Sequence, residues 1–445
     1  MKNKSKNKII TIENILIIFL LFQPILDAVT TLCIEFISPS MTIGIVVRSL
    51  FLVTMAIGTL FIISKADRKN LFSYYILVGI YSLIYMYSTY TLLEGNMIFT
   101  QIKGLVKTLY LPIVLVDLYY IYKTKKIRMP KEVLLTTVVG YASIILLTKM
   151  LGVAYPTYKH GQNIGTVGLF FSGNEIGAII CMLSPFLILK MMKNNLKMEY
   201  IYCVVLVAYA ILEMGTKVPF LGFMFLIISA VIIQLLKKVF KDKSYNFNCV
   251  KHSIAAFIIC YMVAAYFPVG MNMNRVYGKI FWKPNDTTSI SISENITDFE
   301  TFQTKSVSGR NRYYKNTKER YEETPTINKA FGMGYSNMDN NGNYVESKLV
   351  EIDYYDIFFC HGIIGCIIIM LPLVVMLIKI IKLIAKKFKA VIIDEEILLN
   401  GFSVGIALGI ALLAGHVFVS PAVSIILAIS VNELIVRLQQ KVIKK

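Results

Sequence analysis

Three carboxylates, Glu351, Asp353 and Asp356, stand close together where the chain's long polar stretch gives way to an apolar run. A carboxylate at such an edge has two uses. It takes a proton from a hydroxyl when its pKa is raised toward neutrality, or it caps the following helix, whose N-terminus favours acids. Asp353 and Asp356 fall in the first turn of that helix, where capping suits them. Glu351 comes just before the turn and is freer to face a substrate, so it is the first candidate for a base, with Asp353 the second. Cations precede them in the same polar stretch: Arg310 in Ser308-Gly309-Arg310, then Arg312, Lys315, Lys318 and Arg320. A guanidinium's planar fork grips phosphate by two hydrogen bonds. The competing use of these cations is pairing with Glu319, Glu322 and Glu323. Lys217, in a tight mid-chain turn, adds a point charge. Lys107 is a further candidate for contact with an anionic substrate, and His416 for the edge of a site, although a lone histidine is more often only hydrogen-bonded. Together these residue types suit an anionic ligand held by fixed cations beside a carboxylate.

The elements that position these residues belong in a membrane. The 445-residue chain is 56% hydrophobic with a mean hydropathy of +0.63. Apolar runs at about 13–36, 41–63, 71–93, 104–122, 132–153, 174–192, 199–214, 218–236, 251–270, 354–380, 395–416 and 419–437 approach or exceed the ~20 residues of a membrane helix. The expected fold is an all-α polytopic membrane protein with about twelve transmembrane helices. Basic segments fall on alternate connections, which puts both termini in the cytoplasm and the long polar segment outside. Residues 1–270 then carry helices one to nine, 271–353 form one large extracytoplasmic loop, and 354–445 carry helices ten to twelve. The basic N-terminus precedes a run interrupted by Gln23, Pro24 and Asp27, with no small-residue cleavage site, and reads as a retained first span. Cations in an outer loop run against the positive-inside rule, which raises the case for an anionic ligand there.

A net charge of +19 would suggest nucleic acid in a soluble protein. Here it marks cytoplasmic loops and contact with anionic lipid heads, and no nucleic-acid partner is expected. The seven cysteines lack CxxC spacing and the four histidines are scattered, so neither a disulfide framework nor a metal site is expected. Asp27, Arg48, Lys107 and Asp117 lie inside spans. They read as internal ion pairs or snorkelling side chains, with a proton or ion path as the other reading. Gly401, Gly405 and Gly409 form a ladder expected to seat a neighbouring helix closely. The glycines of 165–177 allow tight turns at a helix start.

The chain resembles the O-antigen ligase and polymerase superfamily of bacterial membrane proteins. The likeness rests on the many spans, the large outer loop near the C-terminal third, Ser308-Gly309-Arg310, the glycine turn Gly332-Met333-Gly334, and the pair Gly362 and Gly365. Counting back from that pair puts Glu351 where the family ligases have histidine, and Ile352 where they have Asn, Ser or Gln. Lys217 stands where the family has a basic residue, usually arginine, in a mid-chain outer turn. The resemblance implies a glycan transferase of the bacterial cytoplasmic membrane, multi-pass and acting at its outer face without metal or cofactor. Its donor would be a polyprenyl-pyrophosphate-linked glycan, and its acceptor another glycan or a wall polymer. Glu351, Arg310 and Lys217 would be catalytic, with Arg312, Asp353, Lys107, His416, Gly332 and Gly334 in contact with substrate. A transporter or flippase of the same lipid-linked glycans is the alternative; it would favour charges deep in several spans and internal repeats.

Overall fold

In lipid every backbone N–H and C=O must find a partner within the chain, so apolar runs of this length fold as helices. The computed structural model describes residues 11–37, 42–125, 128–158, 165–193, 197–277, 280–281, 310–339 and 341–443. Its first ten helices are α1 (Ile12–Phe36), α2 (Ile43–Ile62), α3 (Lys65–Leu92), α4 (Ile98–Lys125), α5 (Lys131–Met150), α6 (Gly173–Lys193), α7 (Met198–Met214), α8 (Lys217–Val239), α9 (Phe247–Ala264) and α10 (Pro268–Tyr277). After them come α11 (Arg310–Glu323), α12 (Thr326–Phe331), α13 (Asp353–Lys386), α14 (Phe388–Ile392), α15 (Glu395–Leu413) and α16 (Pro421–Ile443). Among the described residues, eleven helices are long and apolar enough to cross a membrane, and α7, with 17 residues, falls just short of them. The chain is an all-α polytopic membrane protein, as its hydropathy requires. Ser308 and Gly309 lie outside the described residues, as does most of the polar segment that precedes them.

Helices α4, α6 and α16 are the most enclosed, and the other spans pack around them. Charge sorts along the bundle. The N-terminal end of α15 carries Asp394, Glu395 and Glu396, which meet Lys131, Lys193, Lys237, Arg437 and Lys441. The C-terminal end of the same helix meets Arg310. With 19 residues at 1.5 Å each, α15 separates these ends by about 28 Å, close to the hydrocarbon thickness.

Two small hairpins lie outside the helices. β1 (Tyr155–Pro156) pairs antiparallel with β2 (Thr166–Gly168), and β3 (Ser336–Met338) with β4 (Tyr344–Glu346). The segment holding α12 and β3 is fixed to the bundle by a joint made of four glycines. Helix α13 breaks at Gly362, whose φ is 68° and ψ −177°. Such a break strands carbonyls of the preceding turn. Those of Phe359 and Cys360 accept hydrogen bonds from the amides of Met333 and Gly334, both at 3.1 Å. The approach leaves no room for side chains. A Cβ on Gly332 would stand 2.1 Å from the Cys360 carbonyl oxygen, and one on Gly362 2.5 Å from the Ala330 carbonyl. One on Gly334 would meet the Gln101 amide oxygen at 2.2 Å, and one on Gly365 the Tyr81 hydroxyl at 2.2 Å. Beside the joint, His361 bridges Tyr81 and Tyr335 hydroxyls, each at 2.8 Å, and Tyr335 reaches the Thr108 hydroxyl at 2.5 Å. Gly332 and Gly334, expected to touch substrate, are instead buried in this joint because their amides and bare Cα faces are what dock on α13.

The ladder of Gly401, Gly405 and Gly409 also departs from expectation. A Cβ at any of the three would meet no atom within 4 Å, so they seat no helix. This contrast gives a prediction. Gly362→Ala meets both a left-handed φ, worth about 1–3 kcal/mol, and a backbone clash, so it should lower the melting temperature of the purified protein clearly. Gly401→Ala should leave it unchanged or raise it, since alanine favours a helix over glycine by about 1 kcal/mol. Thermal unfolding in detergent checks both, and equal melting of the two variants would contradict the joint.

Candidate active site

Asp353 opens α13 and is fully buried. Its carboxylate accepts the amides of His416, Val417 and Phe418, each at 2.7 Å. These amides belong to the turn between α15 and α16, and the carboxylate fixes that turn against the start of α13. Asp356, one turn on, accepts the Val350 amide at 2.8 Å and holds the segment before the helix. Asp353, expected to touch substrate and held as second candidate for a base, has both carboxylate oxygens engaged by three backbone amides. Both aspartates do the structural work that their place in the first turn suits.

Glu351 is free of that task. Its backbone sits in the left-handed region with φ at 64°, and His416 has the same value. Non-glycine residues held there cost about 1–3 kcal/mol each and gather at functional sites. Gly415 packs on the Glu351 backbone so closely that a Cβ would stand 2.7 Å from its carbonyl oxygen. The Glu351 side chain is half-buried and pairs with Lys348, and at 3.5 Å with Arg310. Burial pushes its carboxyl up, but the hydrogen bond and charge of Lys348, helped by His416 and Arg310, outweigh it and hold the carboxyl below its ordinary value.

Arg310 is the first residue of α11 and is buried. Its guanidinium donates to the carbonyls of Leu413 at 3.2 Å and Ala414 at 3.4 Å. These carbonyls end α15, where the helix dipole is negative and favours a cation. Its Nε–H is buried without a partner among the described residues, so docking on α15 does not use the whole fork. Lys217 begins α8, lies over the Tyr277 ring at 5.2 Å, and is within electrostatic reach of Arg310. Arg312 is not brought to the site. Two residues along a helix differ by about 200°, and Arg312 is exposed where Arg310 is buried.

His416 lies beside a cavity of about 410 Å³ at the same end of the bundle. The cavity wall includes Arg48, Lys103, Lys107, Glu175, Tyr335 and Glu346. His416 Nδ1 is 3.9 Å from the Glu175 carboxylate. Arg48 pairs with Asp27, which also accepts the Tyr141 hydroxyl, so the expectation of internal pairs inside the membrane holds for these two. Asp117 accepts the Tyr75 hydroxyl. Lys107 has no ion-pair or hydrogen-bond partner among the described residues. Glu175, Lys348 and the His361 network were not singled out from the sequence. Glu175 had a signal, its place at a helix start after a glycine-rich turn, and His361 had one in preceding Gly362. Lys348 had none, since a lysine in a polar loop is ordinary.

The fold and site define a polytopic membrane protein with a cation and carboxylate cluster at one end of its bundle. The family described as O-antigen ligase like membrane protein matches residues 10–441, essentially the whole chain, and the chain belongs to that family. None of the curated proteins matches it. Membership assigns a glycan-processing role in a membrane.

The role of Asp353 is testable by stability. Asn keeps one acceptor oxygen and turns an amide toward backbone N–H donors, so at least one charge-assisted bond of about 1.5–3 kcal/mol is lost. Asp353→Asn should therefore melt several degrees below the wild type, with Glu351→Gln near it. Wild-type melting of Asp353→Asn together with abolished activity would give Asp353 a chemical role instead.

Proposed function

We propose that the chain is a glycosyltransferase that uses a polyprenyl-pyrophosphate-linked saccharide at the outer face of the bacterial cytoplasmic membrane. The product is a cell-surface glycan or a glycosylated wall polymer. The observation that carries this reading is Arg310: a buried guanidinium, held on a helix end with one N–H unpartnered, 3.5 Å from a carboxylate. The cluster lies at the opposite end of α15 from the lysine-rich end, which the positive-inside rule assigns to the cytoplasm. The donor's lipid tail stays in the bilayer there, and its pyrophosphate reaches Arg310 and Lys217.

In the transfer an acceptor hydroxyl oxygen attacks the anomeric carbon of the donor sugar. The bond from that carbon to the pyrophosphate oxygen breaks, and its electron pair leaves with the pyrophosphate. The hydroxyl proton passes to Glu351. Arg310 and Lys217 stabilise the charge that gathers on the leaving group. The same cations link donor to base. An arriving pyrophosphate competes with Glu351 for Arg310 and Lys348, weakening the contacts that hold the carboxyl down and leaving burial to push it up. The base strengthens when the donor is seated. A flippase has less support, since the acids within spans have local partners: Asp27 on Arg48, Asp117 on Tyr75, Glu213 on Lys149 and Glu433 on the Met129 amide.

Turnover of a purified lipid-linked oligosaccharide tests this reading. Glu351→Gln should lower it about 10²–10⁴-fold with stability retained, and Arg310→Lys should lower it strongly because the charge stays but the fork is lost. Normal turnover in either variant would remove that residue from the chemistry. A pH profile adds a second check. Lys348→Ala removes the hydrogen bond and charge that lower the Glu351 carboxyl, so its pKa rises. The acidic limb of kcat/KM, below which the base is protonated, should move to higher pH. An unmoved limb would show that another group titrates there.

A further inference from the structure

The cavity beside His416 holds a cation that the reaction above does not use. Lys107 is partly buried in its wall and makes no ion pair or hydrogen bond among the described residues, although the charges of Glu175 and Glu346 in the same wall reach it. Its neighbours are committed: Lys103 to Glu346 at 3.2 Å, and Arg48 to Asp27. Beside it, the buried Arg48 Nε–H has no hydrogen-bond partner among the described residues. An ammonium held in a low-dielectric wall is costly unless an anion meets it. The volume of about 410 Å³ is that of a small-ligand pocket. The wall shares His416 with the active site but includes none of Arg310, Glu351 and Lys217. Two cation groups therefore flank one histidine, and the donor's pyrophosphate takes only the first.

We propose that this cavity is the acceptor pocket, and that Lys107 selects an acceptor saccharide bearing a carboxylate or phosphate. The inference rests on the donor assignment made above. Arg48, held by Asp27 and the close approach of Gly44, keeps a fixed second positive charge in the same wall. His416, 3.9 Å from Glu175, lies at the boundary with the Glu351 side and steers the acceptor hydroxyl toward the base. An anionic acceptor at Lys107 and a pyrophosphate at Arg310 are kept apart by the turn that Asp353 holds, so their like charges need not meet.

Binding to the full chain in lipid nanodiscs tests this. Three probes are compared: a disaccharide ending in glucuronate, the same disaccharide with the carboxylate reduced to hydroxymethyl, and its 6-phosphorylated form. The wild type should bind at least one acidic form about tenfold or more tighter than the neutral one, and which acid wins separates carboxylate from phosphate. Lys107→Gln should abolish the preference and Lys107→Arg keep it, with both variants folded by thermal unfolding. Polyprenyl pyrophosphate, measured on the same samples, should bind Lys107→Gln normally and Arg310→Ala weakly. Equal binding of acidic and neutral disaccharides by the wild type overturns the proposal, as does an acid preference that survives in Lys107→Gln. Loss of pyrophosphate binding in Lys107→Gln also overturns it and moves Lys107 to the donor site. If Arg310→Ala instead keeps full pyrophosphate binding, the donor assignment fails while the acid preference at Lys107 still stands on its own measurement.

Discussion

A buried carboxylate with three backbone donors holds the site together. Asp353 stands at the first turn of α13 and fixes the amides of residues 416–418. That one set of bonds places the end of α15, so its last carbonyls face Arg310. It also presses Gly415 against Glu351 and sets His416 beside Glu175. Charge-assisted hydrogen bonds of this kind are worth about 1.5–3 kcal/mol each, enough to offset the strained backbones of Glu351 and His416. The aspartate's oxygens are engaged by backbone amides, and those bonds hold Glu351, His416 and the end of α15 in register.

The second constraint is steric. The polar segment between the spans buries a small apolar cluster, with Met333, Val350 and Ile352 packed beside Phe359 of α13, and it is tied to the bundle by backbone bonds as well. The break at Gly362 supplies two free carbonyls, and the turn at Gly332 and Gly334 supplies two amides with nothing in the way. Tyr335 then reaches inward to His361 and Thr108, and burial pushes its phenol well above the ordinary value, so it stays neutral. β4 follows, with Glu346 tied to Lys103 on α4. The polar segment is thus pinned at two places, and the second pin forms part of the cavity wall.

Much of the fold was legible in the sequence because lipid leaves few choices: length and hydropathy alone locate the spans. The division of labour among the acids was partly legible, since position in the first turn marked Asp353 and Asp356 as structural. Which face of α11 carries the site was not, because Arg310 and Arg312 look alike until the helix turns one inward and the other to water. The glycines misled in both directions. Gly401, Gly405 and Gly409 have the spacing of a packing ladder and pack nothing, whereas Gly332 and Gly334 suggested a ligand turn and form a joint. Spacing shows that side chains are absent; only the neighbouring element shows what fills the space. Lys107 could be marked as a charge in a span, but its lack of an ion pair or hydrogen bond among the described residues depends on Lys103 finding Glu346 far along the chain and Arg48 finding Asp27 on the neighbouring helix.

In the proposed mechanism Arg310 and Glu351 part when a pyrophosphate arrives. A structure of the full chain in a nanodisc with a bound polyprenyl pyrophosphate measures this directly. The phosphate oxygens should lie within hydrogen-bond distance of the Arg310 Nε–H and the Lys217 ammonium, with Glu351 no longer paired to Arg310. A pyrophosphate seated elsewhere, with Arg310 still paired to Glu351 as here, would contradict it.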